Sequence, residues 1–252
     1  MVSREQISKC YGKDGVSDLP IFPGDITNFG YWRDIDVTGE ITKELKIISA
    51  VNLYKRMLDK LSLDPSDVVI EVGCGRGVGL GIISSYGPRR VIGLDAVQSQ
   101  IDHYKGDHKV MQGFAEELPV EDASLDVVLS VEAIQHFIDP HRFINECGRV
   151  LRPSGRIAIA SFFGNGASAN ERLKDYIPTI KTGEDVAYPL DEVASWLKEL
   201  GFKVVVEKIG EYLWEPFQRW CEQISPEEGS FRMLDAYNDG LWDYSIITGK
   251  RE

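Results

Sequence analysis

Apolar residues first recur at helical spacing in a run that ends at Asp64 and Pro65 and includes Ile41, Leu45, Ile48, Val51, Leu58 and Leu61. An apolar residue at every third or fourth position places these side chains on one face of a helix. The pattern therefore predicts a long amphipathic helix ahead of the first strand, with its apolar face packed on a sheet.

Strand and helix patterns alternate along the rest of the chain. Asp139 is a predicted N-cap with Pro140 in the first turn, and the helix they begin leads through a turn into a strand at 156–162. Asp191 is expected to cap a later helix, and residues 202–209 alternate as another strand. This order predicts an α/β fold, with a mostly parallel sheet and helices on both faces.

Residues 69–77, Val-Ile-Glu-Val-Gly-Cys-Gly-Arg-Gly, combine an apolar strand with a glycine-rich turn. Glycine tolerates positive φ and has no Cβ, so a ligand can approach the backbone of Gly73, Gly75 and Gly77 closely. The helix that follows directs unpaired N–H groups toward the same place. The spacing differs from the dehydrogenase fingerprint G-x-G-x-x-G, and it predicts a nucleotide-type cofactor site.

Two acidic residues at strand ends bear on the choice of cofactor. A negative Glu71 beside the turn would repel a pyrophosphate, whereas it would attract the ammonium group of S-adenosylmethionine. Asp95 ends a second short apolar strand, where a carboxylate can accept hydrogen bonds from ribose hydroxyls. Both positions favour S-adenosylmethionine over a dinucleotide.

The chain resembles the class I S-adenosylmethionine-dependent methyltransferases at the glycine turn and in three later segments, 113–119, 125–130 and 146–156. The shorter segment 28–32 is similar to the branch that methylates small natural products and sugars. The resemblance implies a Rossmann-like, seven-stranded sheet in the order 3-2-1-4-5-7-6, with residues 242–249 as the antiparallel last strand.

The resemblance also implies a set of cofactor-binding residues. In it the glycine turn holds the methionine moiety, Asp95 binds the ribose with help from Gln100, and Phe114 and Ala115 flank the adenine. Phe114 stands where an acidic residue is common, so Glu116 is expected to accept from the adenine amine. The full expected set is Tyr31, Glu71, Gly73, Gly75, Gly77, Asp95, Ala96, Gln100, Phe114, Ala115, Glu116 and Val131.

His136 follows the fourth predicted strand and is the candidate catalytic residue. Ligands of open α/β sheets lie beyond the carboxyl ends of the strands, so a histidine here can face the site. It could take a proton from an acceptor hydroxyl or amine near neutral pH. The alternative is a structural histidine whose hydrogen bonds are satisfied within the protein.

The acceptor site is expected to involve aromatic residues from three parts of the chain. Tyr31 and Trp32 are predicted to close over the cofactor as part of an N-terminal helical lid, residues 1–64. A cofactor-binding core at 65–163 precedes a cap at 164–190, and 191–252 complete a single domain. The aromatic run at 212–220 is either core packing or a pocket wall. The candidate acceptor-binding residues are Trp32, Gln135, Phe162, Phe163, Tyr212, Trp214 and Phe217.

The composition narrows the class of partner. With 252 residues and 43% apolar content the chain suffices for one core, and its formal net charge of -12 argues against nucleic acid. The 4 cysteines follow neither a metal-binding nor a secreted spacing, so no metal is expected. No signal core or membrane-spanning run is present, which predicts a cytoplasmic location. A homodimer is left open.

The sequence therefore predicts an S-adenosylmethionine-dependent methyltransferase that acts on O, N or C of a small aromatic or apolar metabolite and releases S-adenosylhomocysteine. Two other functions stay open. A non-catalytic S-adenosylmethionine-binding partner or regulator would keep Glu71 and Asp95 without turnover, and an NAD(P)-dependent reductase would need phosphate contacts that the glycine turn does not favour.

Overall fold

The computed structural model describes residues 3–12, 15–226 and 232–251. Its strands form one seven-stranded sheet in the order β3-β2-β1-β4-β5-β7-β6. The strands are β1 (Val68–Val72), β2 (Arg90–Asp95), β3 (Lys109–Gln112), β4 (Leu125–Val131), β5 (Leu151–Gly164), β6 (Phe202–Lys208) and β7 (Trp242–Arg251).

The helices occupy the connections between these strands and the region ahead of β1. They are α1 (Arg4–Cys10), α2 (Lys43–Leu61), α3 (Val78–Ser84), α4 (Gln98–His103), α5 (Pro140–Val150), α6 (Ala169–Leu173), α7 (Pro178–Thr182), α8 (Leu190–Glu199), α9 (Trp214–Ile224) and α10 (Met233–Asn238). The long helix predicted from apolar spacing is α2, but its buried face differs from the predicted one. Ile41 precedes the helix and Ile48 is 47% exposed, whereas Leu58 and Leu61 are buried as predicted.

Strands β1 to β5 pair in parallel, while β7 pairs antiparallel with both β5 and β6. The predicted Rossmann-like order 3-2-1-4-5-7-6 is therefore confirmed, including the antiparallel β7. Parallel strands all end at one edge of a sheet, so the residues that follow β1, β2 and β4 meet there.

The sheet is covered on both faces, and neighbouring strand residues face opposite cores because side chains alternate along a strand. Phe162 belongs to the core shared with α2 and α9, whereas Phe163 packs in the core shared with α5 and α8. This alternation decides which side chains can reach the ligand side of the fold.

Two local predictions were wrong at element boundaries. Helix α8 begins at Leu190 with Pro189 at the N-cap, so Asp191 lies inside the first turn and does not cap the helix. There its negative charge still favours the helix N-terminus. The turn expected between α5 and the following strand lies within β5, because Leu151 already pairs with Leu125 and the pairing shifts register before Arg156. Ser154 has a φ of 65°, so the residues between Leu151 and Arg156 leave the ladder as a local irregularity of β5.

Candidate active site

The glycine turn after β1 has the backbone that its sequence predicts. Gly73, Gly75 and Gly77 have φ angles of 80°, 52° and 77°. A Cβ on Gly73 would lie 2.3 Å from the Cβ of Ala133, which leaves no room for a side chain. A Cβ on Gly75 would meet no atom within 4 Å, because Gly75 faces an open cavity. The turn thus brings bare backbone to a ligand-sized space.

Asp95 at the end of β2 ties the turn to the next loop. Its Oδ2 accepts from the Gly75 amide at 2.8 Å, and its Oδ1 accepts from the Val97 amide at 2.9 Å. Burial raises the pKa of Asp95, and these backbone hydrogen bonds oppose that effect. A carboxylate has lone pairs left after two such bonds, so it can also accept from hydroxyls in the cavity.

A cavity open to solvent, with about 890 Å³ of empty space including that opening, lies over the ends of β1, β2 and β4. We call it the cofactor cavity. Eight of the predicted cofactor-binding residues line it, namely Gly73, Gly75, Asp95, Ala96, Phe114, Ala115, Glu116 and Val131. Glu116 also accepts the amides of Ile138 and Asp139, so it fixes the loop after His136. Four predicted residues do not line the cavity: Tyr31, Glu71, Gly77 and Gln100.

Glu71 lies beneath the glycine turn, fully buried. The Tyr54 hydroxyl donates to its Oε1 at 2.6 Å, and its Oε2 has no hydrogen-bond partner within the described residues. Burial raises the pKa of Glu71 to about 8. The carboxyl is therefore largely protonated at neutral pH, and the charge argument used to choose a cofactor from Glu71 has no support in this geometry.

Gln100 and the aromatic pair Tyr31–Trp32 hold other segments in place. Gln100 is buried and donates through Nε2 to the backbone carbonyl of Tyr11 at 2.6 Å. The Tyr31 amide donates to the Ser49 carbonyl in α2, and both aromatic side chains are buried. These two residues pack against the body of the protein and line neither of the cavities described here.

The segment that does cover the cofactor cavity is the N-terminal lid, residues 3–12 and 15–27. The Arg4 guanidinium lies over the Phe114 ring at 3.8 Å from its centroid, and Ile7 and Tyr11 line the cavity. Arg76, in the glycine turn, forms ion pairs with Asp18 and Asp25. The lid therefore contacts the cofactor cavity both at Phe114 and at the glycine turn.

Sequence reasoning missed this part of the lid, although one signal was present. Ser3 and Gln6 form a capping box, in which each side chain bonds to the other's backbone amide. That motif predicts a helix starting at Arg4. It does not predict where the helix lies, since none of the α1 residues is buried.

A second cavity of about 1290 Å³ adjoins the first. We call it the acceptor cavity. The two share four lining residues, Tyr11, Thr27, Glu132 and His136. Of the predicted acceptor-binding residues, Gln135, Phe162 and Phe217 line it, joined by Phe22, Phe29 and Trp242.

The other predicted acceptor-binding residues lie elsewhere. Phe163 faces the opposite core, Trp214 is fully buried and stacks on Trp242 at 4.4 Å between ring centroids, and Tyr212 contacts Tyr31. Trp32 donates from its indole to the Phe29 carbonyl. The aromatic run at 212–220 therefore contributes one wall residue, Phe217, and otherwise packs as core.

Glu132 stands at the junction of the cavities, directly after β4. Its Oε1 accepts from the Phe29 amide at 2.6 Å and the Tyr244 hydroxyl at 2.8 Å. Its φ is 46°, a left-handed conformation that costs energy for a residue other than glycine and is frequent at functional sites. Burial raises the pKa of Glu132 and lowers the pKa of the nearby buried Lys46, and the opposite charges of the two groups oppose both shifts.

His136 occupies the same junction, in the short turn after β4. Its Nε2 is 2.5 Å from the Tyr11 hydroxyl, and its Nδ1 is 3.0 Å from the Glu184 carbonyl oxygen. Asp185 Oδ1 lies 3.4 Å from the same Nδ1. The predicted catalytic histidine thus faces both cavities and has a carboxylate behind it.

The segment assigned to a cap contributes one wall of the acceptor cavity. It contains α6 and α7, and the residues that line the cavity are Tyr176, Ile177, Pro178, Thr179 and Asp185. Its position is set partly by backbone bonds, such as the Val186 amide donating to the Gln135 carbonyl. Tyr11 and Asp185, neither of which the sequence singled out, therefore meet at His136.

Within the described ranges 3–12, 15–226 and 232–251, no three His, Cys, Asp or Glu residues are grouped so that they could hold a metal ion. No helix there has both the length and the apolar content needed to cross a bilayer.

Comparison with known proteins agrees with this geometry. The family described as "Methyltransferase domain" matches residues 70–159, which include the glycine turn, Asp95 and His136. A probable S-adenosylmethionine-dependent methyltransferase of Mycolicibacterium smegmatis is 40% identical over 96 residues, 37% of each chain. The matched part thus spans little more than a third of that relative.

Longer but weaker similarity extends beyond this segment. The 27-O-demethylrifamycin SV methyltransferase of Amycolatopsis mediterranei is 29% identical over 203 residues, covering 76% of this chain and 72% of that protein. The crystal structure of geranyl diphosphate C-methyltransferase from Streptomyces coelicolor A3(2), in complex with Mg²⁺, geranyl diphosphate and S-adenosylhomocysteine, has a TM-score of 0.79 and 16% identity. It covers 99% of this chain and 98% of that one, and at this identity it supports the fold alone.

Proposed function

We propose that the chain is a class I S-adenosylmethionine-dependent methyltransferase and that it transfers the methyl group of S-adenosylmethionine to a small, largely apolar metabolite. The observation that carries the proposal is the meeting of two cavities at Glu132 and His136. One cavity is built on the glycine turn, and the other has apolar walls. A donor and an acceptor could therefore bind side by side.

The residues of the cofactor cavity fit S-adenosylmethionine. Gly75 opens directly onto the cavity, so the methionine part could lie against bare backbone, and Asp95 could accept from the ribose hydroxyls. The lining carboxylates Asp95 and Glu116 would suit a ligand with a sulfonium and an ammonium group. The lining cation Arg76 is already paired with Asp18 and Asp25.

The acceptor cavity suits an apolar compound without phosphate. Aromatic side chains form much of its wall, and flat apolar ligands gain contact area and stacking there. Among the described residues, no lysine or arginine lines it, whereas Glu132 and Asp185 do. A diphosphate acceptor would meet the Asp185 carboxylate and no lysine or arginine in the described wall, so the substrate of the geranyl diphosphate enzyme is not proposed for this chain.

Methyl transfer needs mainly placement from the protein, since S-adenosylmethionine supplies an activated methyl group. The two walls would hold donor and acceptor in line, which can contribute several kcal/mol through orientation alone. The N-terminal lid would exclude water, because Ile7 and Tyr11 close the cofactor cavity from above.

The relatives and the composition support proposals on the metabolic context of this activity and on the kind of partner. The rifamycin methyltransferase acts, by its name, on a small natural product, so secondary metabolism is the proposed context. A net charge of -12 supports a small-molecule partner over nucleic acid. A cytoplasmic location is part of the proposal, and a homodimer stays open.

Calorimetry with S-adenosylmethionine, S-adenosylhomocysteine and NADH tests the cofactor, followed by a screen of apolar alcohols, phenols and amines for transfer of a labelled methyl group. Binding of the first two ligands together with transfer would support the proposal. Binding without transfer to any acceptor would favour a regulatory protein, and tight binding of NADH alone would favour a reductase.

A further inference from the structure

The two ring nitrogens of His136 have different surroundings. Nδ1 faces the Glu184 backbone carbonyl at 3.0 Å and the Asp185 carboxylate at 3.4 Å, both on the cap. Nε2 faces the junction of the two cavities, where the Tyr11 hydroxyl lies 2.5 Å away. The imidazole is therefore held from behind, with one nitrogen directed at the place where donor and acceptor would meet.

These partners fix which nitrogen carries the proton. A backbone carbonyl can only accept a hydrogen bond, so Nδ1 must carry the hydrogen that is donated to Glu184. In the neutral ring Nε2 then keeps its lone pair, and the Tyr11 hydroxyl donates to it. A nitrogen with a free lone pair beside the donor methyl group is placed to act as a base.

We infer that the acceptor atom is a hydroxyl oxygen, carried by an apolar alcohol or phenol, and that Asp185 is the positioning residue for His136. This inference rests on the proposed function and narrows its substrate class. The Tyr11 hydroxyl marks the position of the acceptor hydroxyl on Nε2, and Tyr11 yields that position when the acceptor binds.

The step balances in atoms and electrons. A bond forms between the acceptor oxygen and the methyl carbon, while the bond between that carbon and sulfur breaks and leaves its electron pair on sulfur. The hydroxyl proton passes to His136 Nε2, and the resulting imidazolium lies beside the Asp185 carboxylate. The products are the methyl ether, neutral S-adenosylhomocysteine and a proton released later to solvent.

The titratable groups around His136 come from several elements packed against it. Titratable groups face it or its hydroxyl partner from the lid, the cap and the ends of β2 and β4: Cys10, Tyr11, Asp95, Glu132, Glu184 and Asp185. None of these becomes a cation, and the Asp185 carboxylate lies beside the imidazolium that proton transfer creates. A carboxylate at this place would also oppose an anionic acceptor.

A base of this kind matters more for a hydroxyl acceptor than for an amine. A hydroxyl is a weak nucleophile until its proton is taken, whereas an amine can arrive neutral with its lone pair available. Movement of the Tyr11 side chain breaks its hydrogen bond to His136, which the acceptor hydroxyl would replace, and Tyr11 follows α1, none of whose residues is buried. The geometry therefore favours oxygen over nitrogen.

The first test needs no acceptor. The full-length protein labelled with ¹⁵N-histidine is examined by NMR at pH about 8, and His136→Gln identifies the resonance. The expected result is an unprotonated Nε2 and a protonated Nδ1 on His136. A proton on Nε2 in the neutral ring would overturn the inference.

The second test uses matched acceptors, 1-naphthol against 1-naphthylamine and 2-naphthol against 2-naphthylamine, with labelled S-adenosylmethionine. The naphthols are expected to be methylated at least about tenfold faster in kcat/KM. Faster methylation of the amines would leave the proposed function standing and overturn the inference. Methylation of neither pair, with S-adenosylhomocysteine still binding, would also count against it.

The third test separates positioning from folding. Asp185→Ala is expected to lower kcat for a naphthol by about tenfold with little change in KM for S-adenosylmethionine, and Asp185→Glu to restore part of it. His136→Ala should lower kcat by about 10²-fold or more. Asp175→Asn, an exposed carboxylate of the same cap, is the control. Equal losses in Asp185→Ala and Asp185→Glu, accompanied by a lower Tm, would show a structural role only.

Discussion

At the scale of single residues, the Asp95 carboxylate accepts a hydrogen bond from the Gly75 amide and also lines the cofactor cavity. We predict that Asp95→Ala weakens S-adenosylmethionine binding by about 1.5 to 3 kcal/mol, the worth of hydrogen bonds to a charged group. Calorimetry measures this, with Asp107→Ala as an exposed control. Unchanged affinity in a folded Asp95→Ala variant would remove Asp95 from the binding site.

The buried Glu71 leads to a prediction about how the free energy of unfolding depends on pH. Burial raises the pKa of Glu71 from the ordinary 4.5 to about 8, so the native state binds this proton more tightly than the unfolded chain does. The stabilisation is complete below pH about 4.5 and is lost as the pH rises toward 8. The loss is a few kcal/mol at most, since one pKa unit corresponds to about 1.4 kcal/mol.

Urea unfolding at pH about 5.5 and about 8 measures this effect. Glu71→Gln keeps an acceptor for the Tyr54 hydroxyl and cannot ionise, so its stability should fall less between the two pH values than that of the wild type. Glu192→Gln, at an exposed position, should behave like the wild type. An identical pH dependence in all three proteins would contradict the protonated state assigned to Glu71.

The sequence predicts the position of a site residue well when that residue directly follows a strand. Gly75, Asp95 and His136 follow directly from the positions of β1, β2 and β4. Tyr11 and Asp185 could not be predicted, because they reach His136 from segments 125 and about 49 positions away along the chain, and no local pattern encodes such contacts.

At the scale of elements, α1 is the least anchored helix of the site. It has no buried residue, and it is held through the Arg4–Phe114 contact and the bonds of Tyr11. We predict that amides of residues 4–11 exchange hydrogen quickly in the free protein and that S-adenosylhomocysteine slows them. A short segment with few buried contacts opens at low cost, and a ligand beneath it adds contacts only in the closed state.

Amides of α5, a helix buried on the far face of the sheet, provide the control and should exchange slowly with or without ligand. Equal exchange of residues 4–11 in both states would show that the N-terminal lid does not respond to the cofactor. Changes confined to the segment around Tyr31 and Trp32 would instead favour the lid that the sequence predicts.

Helix α9 contains two aromatic residues whose replacement by alanine is expected to affect different properties, acceptor binding and stability. Phe217 lines the acceptor cavity, whereas Trp220 is buried and donates to the Ile21 carbonyl. Phe217→Ala should raise the acceptor KM while leaving the cofactor Kd unchanged. Trp220→Ala should mainly lower the free energy of unfolding, by about 3 to 5 kcal/mol. A loss of stability without a KM effect in Phe217→Ala would place Phe217 in the core as well.

Elements with a repeating apolar pattern were predictable, whereas the position of residues 3–12 and 15–27 over the cofactor cavity was not. Helix α2 and strands β1, β4 and β7 bury one or both faces, so their composition carries the signal. The lid is held by a few side-chain contacts, among them Arg76 with Asp18 and Asp25, which only the folded core brings together.

At the scale of the whole molecule, cofactor binding should stabilise the fold by mass action. A ligand that binds only the native state at about 100 times its Kd contributes about 2.7 kcal/mol. We therefore expect S-adenosylhomocysteine to raise the Tm in a concentration-dependent manner, and the rise to be smaller in Asp95→Ala at equal ligand. Differential scanning calorimetry measures both. An equal rise in the two proteins would contradict the assigned site.

Strand β5 also limits how this protein can change over evolution. Its nine paired positions with β7 run from Arg156 to Gly164, and they present Phe162 to the acceptor cavity and Phe163 to the opposite core. Insertion or deletion of a single residue here would exchange the two faces. Acceptor preference can therefore change by substitution at Phe162 or by a change in the length of the cap. The number of residues in β5 between Arg156 and Gly164 must be preserved.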